Sequence, residues 1–164
     1  MTADGALMDD LSTWLKLIHI LSATVLFGTG MGTAFFMWRA DKAGDVAAIA
    51  VTARHVVLAD LLFTTPAVIV QPVTGVWLAI ERGYDFSEPW LHAAIALYIL
   101  TGACWLPVVW LQAKMRDMAE AARASGEALP ARYHRYMRIW FILGWPAFSA
   151  VIAIFVLMLF RPAL

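Results

Sequence analysis

The chain has 164 residues, of which 62% are hydrophobic, and its mean hydropathy is +0.74. A soluble domain is usually about 45–50% apolar, and the excess here recurs in four blocks, which excludes an ordinary water-soluble globule and points to an integral membrane protein. Formal net charge is zero, so bulk charge gives no sign of a nucleic-acid partner and none is expected; the single cysteine, Cys104, excludes an intramolecular disulfide.

The N-terminal stretch MTADGALMDDLSTW is acidic, not basic, ahead of the first apolar run. It lacks the charge pattern and cleavage site of a secretory signal, so residues 12–38 are expected to form a retained transmembrane helix. Three further spans are expected over about 55–80, 89–113 and 137–160. Each is long enough to cross roughly 30 Å of hydrocarbon at 1.5 Å per residue. The reading is all-α: an antiparallel four-helix bundle in the membrane, as one domain over 1–164. Trp14, Trp38, Trp77, Trp90, Trp110 and Trp140 fall near proposed span ends, where indole rings favour the headgroups. Trp105 and Trp145 lie deeper and read as packing or cofactor-wall residues.

Nine of the twelve basic residues fall in the connections 1–2 and 3–4 or their flanks; Lys16, Arg82 and Arg161 lie on the other side. The positive-inside rule then puts both termini in the periplasm of a bacterial inner membrane. The connection KMRDMAEAARASGEALPARYHR extends span 3 as a helix to about Ser125, with Gly126 and Pro130 as stop signals. The connection RADKAGDVAAIAVTARH is expected to be partly helical. The basic run RYHRYMR suits anionic lipid headgroups, and His134 within it reads as a solvated loop residue.

Ionisable and polar groups at membrane depth are costly and each needs a partner or a task. In WLKLIHI, Lys16 and His19 stand one turn apart. Spans 1 and 3 run the same way, and His19 and His92 approach the bundle from the same side at similar height. Two histidines facing each other across a four-helix bundle are able to ligate a haem iron from both faces. The plainer alternative is that each imidazole bonds a carbonyl or water. A zinc or copper site is less well supported, since no Cys or carboxylate stands nearby. On the haem reading, Lys16 pairs with a propionate or snorkels to the headgroups.

Gly28 and Gly32 in FGTGMGT form a small-xxx-small surface. It serves close helix packing or room for a flat macrocycle; a homo-oligomer is a separate expectation. Pro66, Pro72, Pro107 and Pro146 are expected to kink their helices. Gln71, just before Pro72, satisfies a freed carbonyl or reaches a cofactor propionate. Asp60 is expected to form a structural ion pair with Arg54, Arg39 or Arg138; a proton path or a substrate-facing carboxylate is the alternative.

The segments WLKLIHILSATVLFGTGMGTAFFMWRA, FTTPAVIVQPVTG, GACWLPVVWLQ and RYHRYMRIWFILGWPAF resemble the integral membrane family DUF2269 over nearly the whole chain. More distantly, WLKLIHI and PWLHAAIAL are similar to the first and third spans of HemJ-type proteins, and more loosely to CopD-like copper-resistance proteins. The HemJ resemblance implies four helices, haem b and oxidation of a porphyrin-like substrate. Its third-span motif resembles W-x-H-x-K; here His92 is retained and Ala94 replaces the lysine, which weakens the expectation of oxidase activity more than that of haem binding. The resulting expectation is a small b-type cytochrome with His19 and His92 as iron ligands, working with a quinone or a porphyrin among membrane lipids. A cofactor-free structural or transport subunit and CopD-like copper handling stand as alternatives.

Overall fold

The computed structural model describes the backbone of residues 3–162 and the side chains of residues 10–162. Its helices are α1 (Ala3–Ala43), α2 (Val46–Ala59), α3 (Thr65–Glu81), α4 (Pro89–Ser125) and α5 (Ala131–Phe160). A π-helical turn, Asp60–Thr64, joins α2 to α3 without a break. Four helical rods are long and apolar enough to span a membrane, covering residues 10–43, 46–81, 89–125 and 131–160. They run alternately up and down, and no strand occurs among the described residues. The protein is an all-α, multi-pass integral membrane protein.

Local sequence explains where each rod stops. Gly44 takes a left-handed φ of +71° and ends α1. Asp45 then caps α2, its carboxylate accepting from the Ala47 amide at 2.9 Å. Gly83, φ +64°, closes α3, with the Tyr84 amide returning to the Ala79 carbonyl. Pro89 opens α4, where its missing N–H costs nothing. Gly126, φ +72°, ends α4 after Ser125, the stop that its sequence signals. Gly126→Ala must place a Cβ in the left-handed region, so it should cost about 1–2 kcal/mol. Equilibrium unfolding in mixed micelles would measure it, with Gly28→Ala, in open space, as the helical comparison.

The π turn follows from Pro66. A proline at that position offers no N–H and its ring crowds the carbonyl four residues earlier. The backbone widens instead, and the Thr65 amide bonds the Asp60 carbonyl five residues back. The Thr65 hydroxyl adds a second bond to the same oxygen at 2.9 Å.

Packing is uneven along the bundle. At the basic end a tight core unites all four rods through Met37, Ile49, Val56, Met115, Tyr133 and Met137. At the end carrying the termini, Ala79, Trp90 and Leu91 pack with Tyr84, Leu157 and Met158. There the Arg161 guanidinium stacks over Tyr84 at 4.7 Å and over Trp90 at 5.8 Å. Trp90 and Trp140 are therefore buried core residues, whereas Trp14, Trp38, Trp77 and Trp110 are exposed, as headgroup anchors would be. Between the two cores, Leu61, Ile99, Leu106 and Ile142 turn outward, where lipid rather than protein covers them. Along the sides, α4 lies against α5 and α2, and α1 against α3 and α2.

Candidate functional site

His19 sits on the α1 face that meets α3. Its Nδ1 lies 3.0 Å from Thr74 Oγ1, and its Nε2 lies 3.0 Å from Gln71 Nε2. The proton directions follow from the partners. Thr74 donates its own hydroxyl proton to the Val70 carbonyl at 2.7 Å, so its oxygen accepts from His19 Nδ1–H. The Gln71 amide nitrogen donates to His19 Nε2, and the Gln71 carbonyl oxygen accepts from Ser22. The Ser22 hydroxyl also lies 3.0 Å from the His19 carbonyl oxygen. The imidazole is thus held neutral in one tautomer, with its Nε2 lone pair facing Gln71. Both ring nitrogens are paired within the protein, Nδ1–H with an acceptor and Nε2 with a donor, both on α3. Gly75 makes the fit possible, because a Cβ there would stand 3.0 Å from His19 Cε1.

Gln71 also lines a cavity of about 400 Å³ between α1, α3, α4 and α5. The size falls within the range of small-molecule sites, about 300–1,000 Å³. Its walls are mainly aromatic and aliphatic, including Phe27, Trp105, Trp145 and Phe148, and three glycines, Gly30, Gly102 and Gly144, flatten them. Trp105 and Trp145 therefore are wall residues, as their depth suggests. Tyr98 crosses one side and donates to the Val68 carbonyl at 2.5 Å, tying α4 to α3 at mid-height.

At the basic end of the cavity lie Asp60, Thr64 and Gln112. Thr64 donates to Asp60 Oδ1 at 2.8 Å, and Gln112 approaches from α4. Asp60 forms no ion pair; among the described residues the ion pair is Arg116–Asp117. The expectation of an arginine partner fails on helix geometry. Asp60 shares a stripe with Ala53 and Val56, while Arg54 is six residues away, roughly 120° around the helix. Arg39, Arg54 and Arg138 are all exposed. Asp60 instead turns into the bundle.

The remaining sequence candidates are distributed around this frame. Lys16 is exposed one turn from His19 toward the terminal end. His92 is exposed in the first turn of α4. Its height matches His19, because both lie several residues, about 5–10 Å, toward the terminal end from the Tyr98–Val68 contact. Its direction differs: the cavity stripe of α4 runs through Tyr98, Thr101, Trp105, Val108 and Gln112 and extends to Ala94 and Leu91, so His92 lies about 100° off it. Near His92 stands Asp85, whose carboxyl is held below the usual carboxylate range by hydrogen bonds from Ser87 and, to a lesser degree, by the His92 charge. A Cβ added at Gly28 or Gly32 would meet nothing within 4 Å, whereas one at the intervening Gly30 would face the Phe148 ring at 3.5 Å. α1 thus meets α5 through side chains, with the Phe148 ring over Gly30 and Phe27 edge-on to Phe148 and Phe155. Among the described residues no three of His, Cys, Asp or Glu converge to hold a metal.

Ser22, Thr74 and Gly75 are the site residues that sequence reasoning misses. Serine and threonine in a membrane helix ordinarily bond their own backbone. The available signal is spacing: Ser22 follows His19 by three, and Thr74 follows Gln71 by three, so each pair shares a helix face.

No curated protein and no solved structure matches the chain at a significant level. The family model described as "Predicted integral membrane protein (DUF2269)" matches residues 13–162. The four long apolar helical rods agree with that description, and the chain belongs to the DUF2269 family of integral membrane proteins.

Proposed function

We propose that the protein binds haem b in the membrane and serves a redox role, with His19 as an iron ligand. The observation that supports this most is the tautomer of His19: Nδ1–H is fixed by Thr74, as in ligating histidines, and Nε2, which accepts from the cavity-lining Gln71, would be freed for iron by a turn of that amide. Aromatic walls flattened by glycine suit a planar macrocycle, and exposed Lys16 stands one turn nearer the terminal end, where a propionate would emerge. His92 would be the candidate for a second ligand on height alone, since it is exposed and lies about 100° off the cavity stripe of α4. Bound haem would supply one-electron chemistry; the chain supplies ligation, apolar burial and charge near the propionates, the levers that set a potential. Electrons would pass to or from a lipid-soluble partner, a quinone or a porphyrin.

The distribution of basic residues supports termini on the periplasmic side of a bacterial inner membrane. The test of the haem reading is spectroscopic. Protein purified in detergent from haem-replete cells should be red, with an absorption band that sharpens on dithionite reduction. A colourless preparation overturns the reading. His92→Ala should lose the same band if ligation is bis-histidine; a band that survives it removes His92 from the site.

A further inference from the structure

The far end of the cavity, about 15 Å along α3 from the His19 cluster, presents an unusual set of atoms. Asp60 Oδ2, Gln112 Oε1, Trp105 Nε1 and Trp140 Nε1 are all buried without a hydrogen-bond partner, while the Gln112 side chain reaches the Asp60 carboxylate. All four residues line the one cavity. Asp60, Gln112 and Trp140 are 6%, 5% and 5% exposed, so bulk water does not satisfy them. Orphaned buried polar atoms are rare, because each forfeits its hydration without replacement. Four beside one apolar cavity point to a ligand head that both donates and accepts. The two acceptors, on Asp60 and Gln112, call for hydroxyl protons. The two indole N–H groups call for an oxygen lone pair. An amphipathic cation would answer the first pair and leave the second unmet. A phenolic hydroxyl gives its proton to one acceptor and takes a bond from each indole, and the rest of the cavity, with the rings of Phe141 and Phe148, suits an aromatic body.

We propose that this end of the cavity binds the hydroxylated ring of a membrane-soluble quinol, with Asp60 accepting its single hydroxyl proton and Trp105 and Trp140 donating to the two lone pairs of its oxygen. The π turn supports the assignment, since such turns recur at functional sites and this one presents Asp60 and Thr64 to the cavity. The site does not depend on haem at His19.

The test uses the full chain in lipid nanodiscs, titrated anaerobically with a short-tailed benzoquinol and, separately, with the corresponding benzoquinone and with tetraphenylphosphonium. Saturable quinol binding is expected, tighter than that of the quinone, because the quinone has no hydroxyl to give Asp60. Asp60→Asn and Trp105→Phe should each weaken quinol binding about tenfold while circular dichroism and elution volume stay unchanged. His19→Ala should leave quinol binding intact, which separates this site from the haem reading. Unsaturable quinol uptake, equal affinity in wild type and both variants, or saturable binding of the phosphonium in place of the quinol would each overturn the proposal.

Discussion

His19→Ala should abolish the reduced haem band, and Thr74→Val should weaken haem retention without removing it. The two variants act at different points of one chain of bonds. His19 supplies the nitrogen. Thr74 only holds the opposite nitrogen, at 3.0 Å. Partners of that kind typically cost 10–100-fold in metal affinity when removed. Valine preserves the shape of threonine and deletes the acceptor, leaving His19 Nδ1–H unpaired between two helices. Gly75→Ala tests the same geometry sterically, because its methyl would stand 3.0 Å from His19 Cε1 and the imidazole would have to tilt. The expected order of haem occupancy in purified protein is wild type, then Thr74→Val and Gly75→Ala, then His19→Ala at zero. If Thr74→Val leaves both occupancy and midpoint potential at the wild-type values, the bond from Nδ1 plays no part in holding haem.

Met115→Ala should be strongly destabilising. Met115 is 0% exposed and packs in the basic-end core with Met37, Ile49 and Tyr133. Truncating a buried methionine to alanine typically costs about 2–5 kcal/mol through lost contacts and the cavity left behind. Ile99→Ala makes the contrast. Ile99 is 65% exposed on the face that lipid covers, and acyl chains solvate an isoleucine about as well as neighbouring helices do. Its cost should stay below about 1 kcal/mol. Reversible unfolding in mixed micelles would report both. Equal losses would mean that the mid-bundle faces are packed against protein after all, as in an oligomer.

Much of this architecture is legible in the sequence because membranes impose long apolar runs and strong stop signals. Gly126 and Ser125 mark the end of α4 to the residue. The limits that differ lie at the basic end: α1 runs on to Ala43 and α2 begins at Val46, in the connection that reads as partly helical, and α5 begins at Ala131 rather than 137, so His134 is an exposed residue of α5 and not of a loop. The site is legible in part. His19 and Gln71 stand out as polar groups at depth, and the structure brings them together. Their mutual contact, and the roles of Ser22 and Thr74, depend on how α1 rotates against α3, which no single-helix pattern contains. The cavity is a property of four walls at once. Asp60 illustrates the limit: its neighbours in sequence suggest an arginine, and helical phase turns it the other way.

The wide turn at Asp60–Thr64 also bears on how one rod serves two neighbours. Its inward residues keep a similar spacing from Ile49 to Thr74, yet α2 leans on α4 while α3 leans on α1. The surplus residue in the turn acts as a swivel, advancing everything beyond it by about 100°. Excising a single residue from 60–64 would undo that swivel, swinging Gln71 and Thr74 away from α1 while Ile49 and Val56 kept their seats.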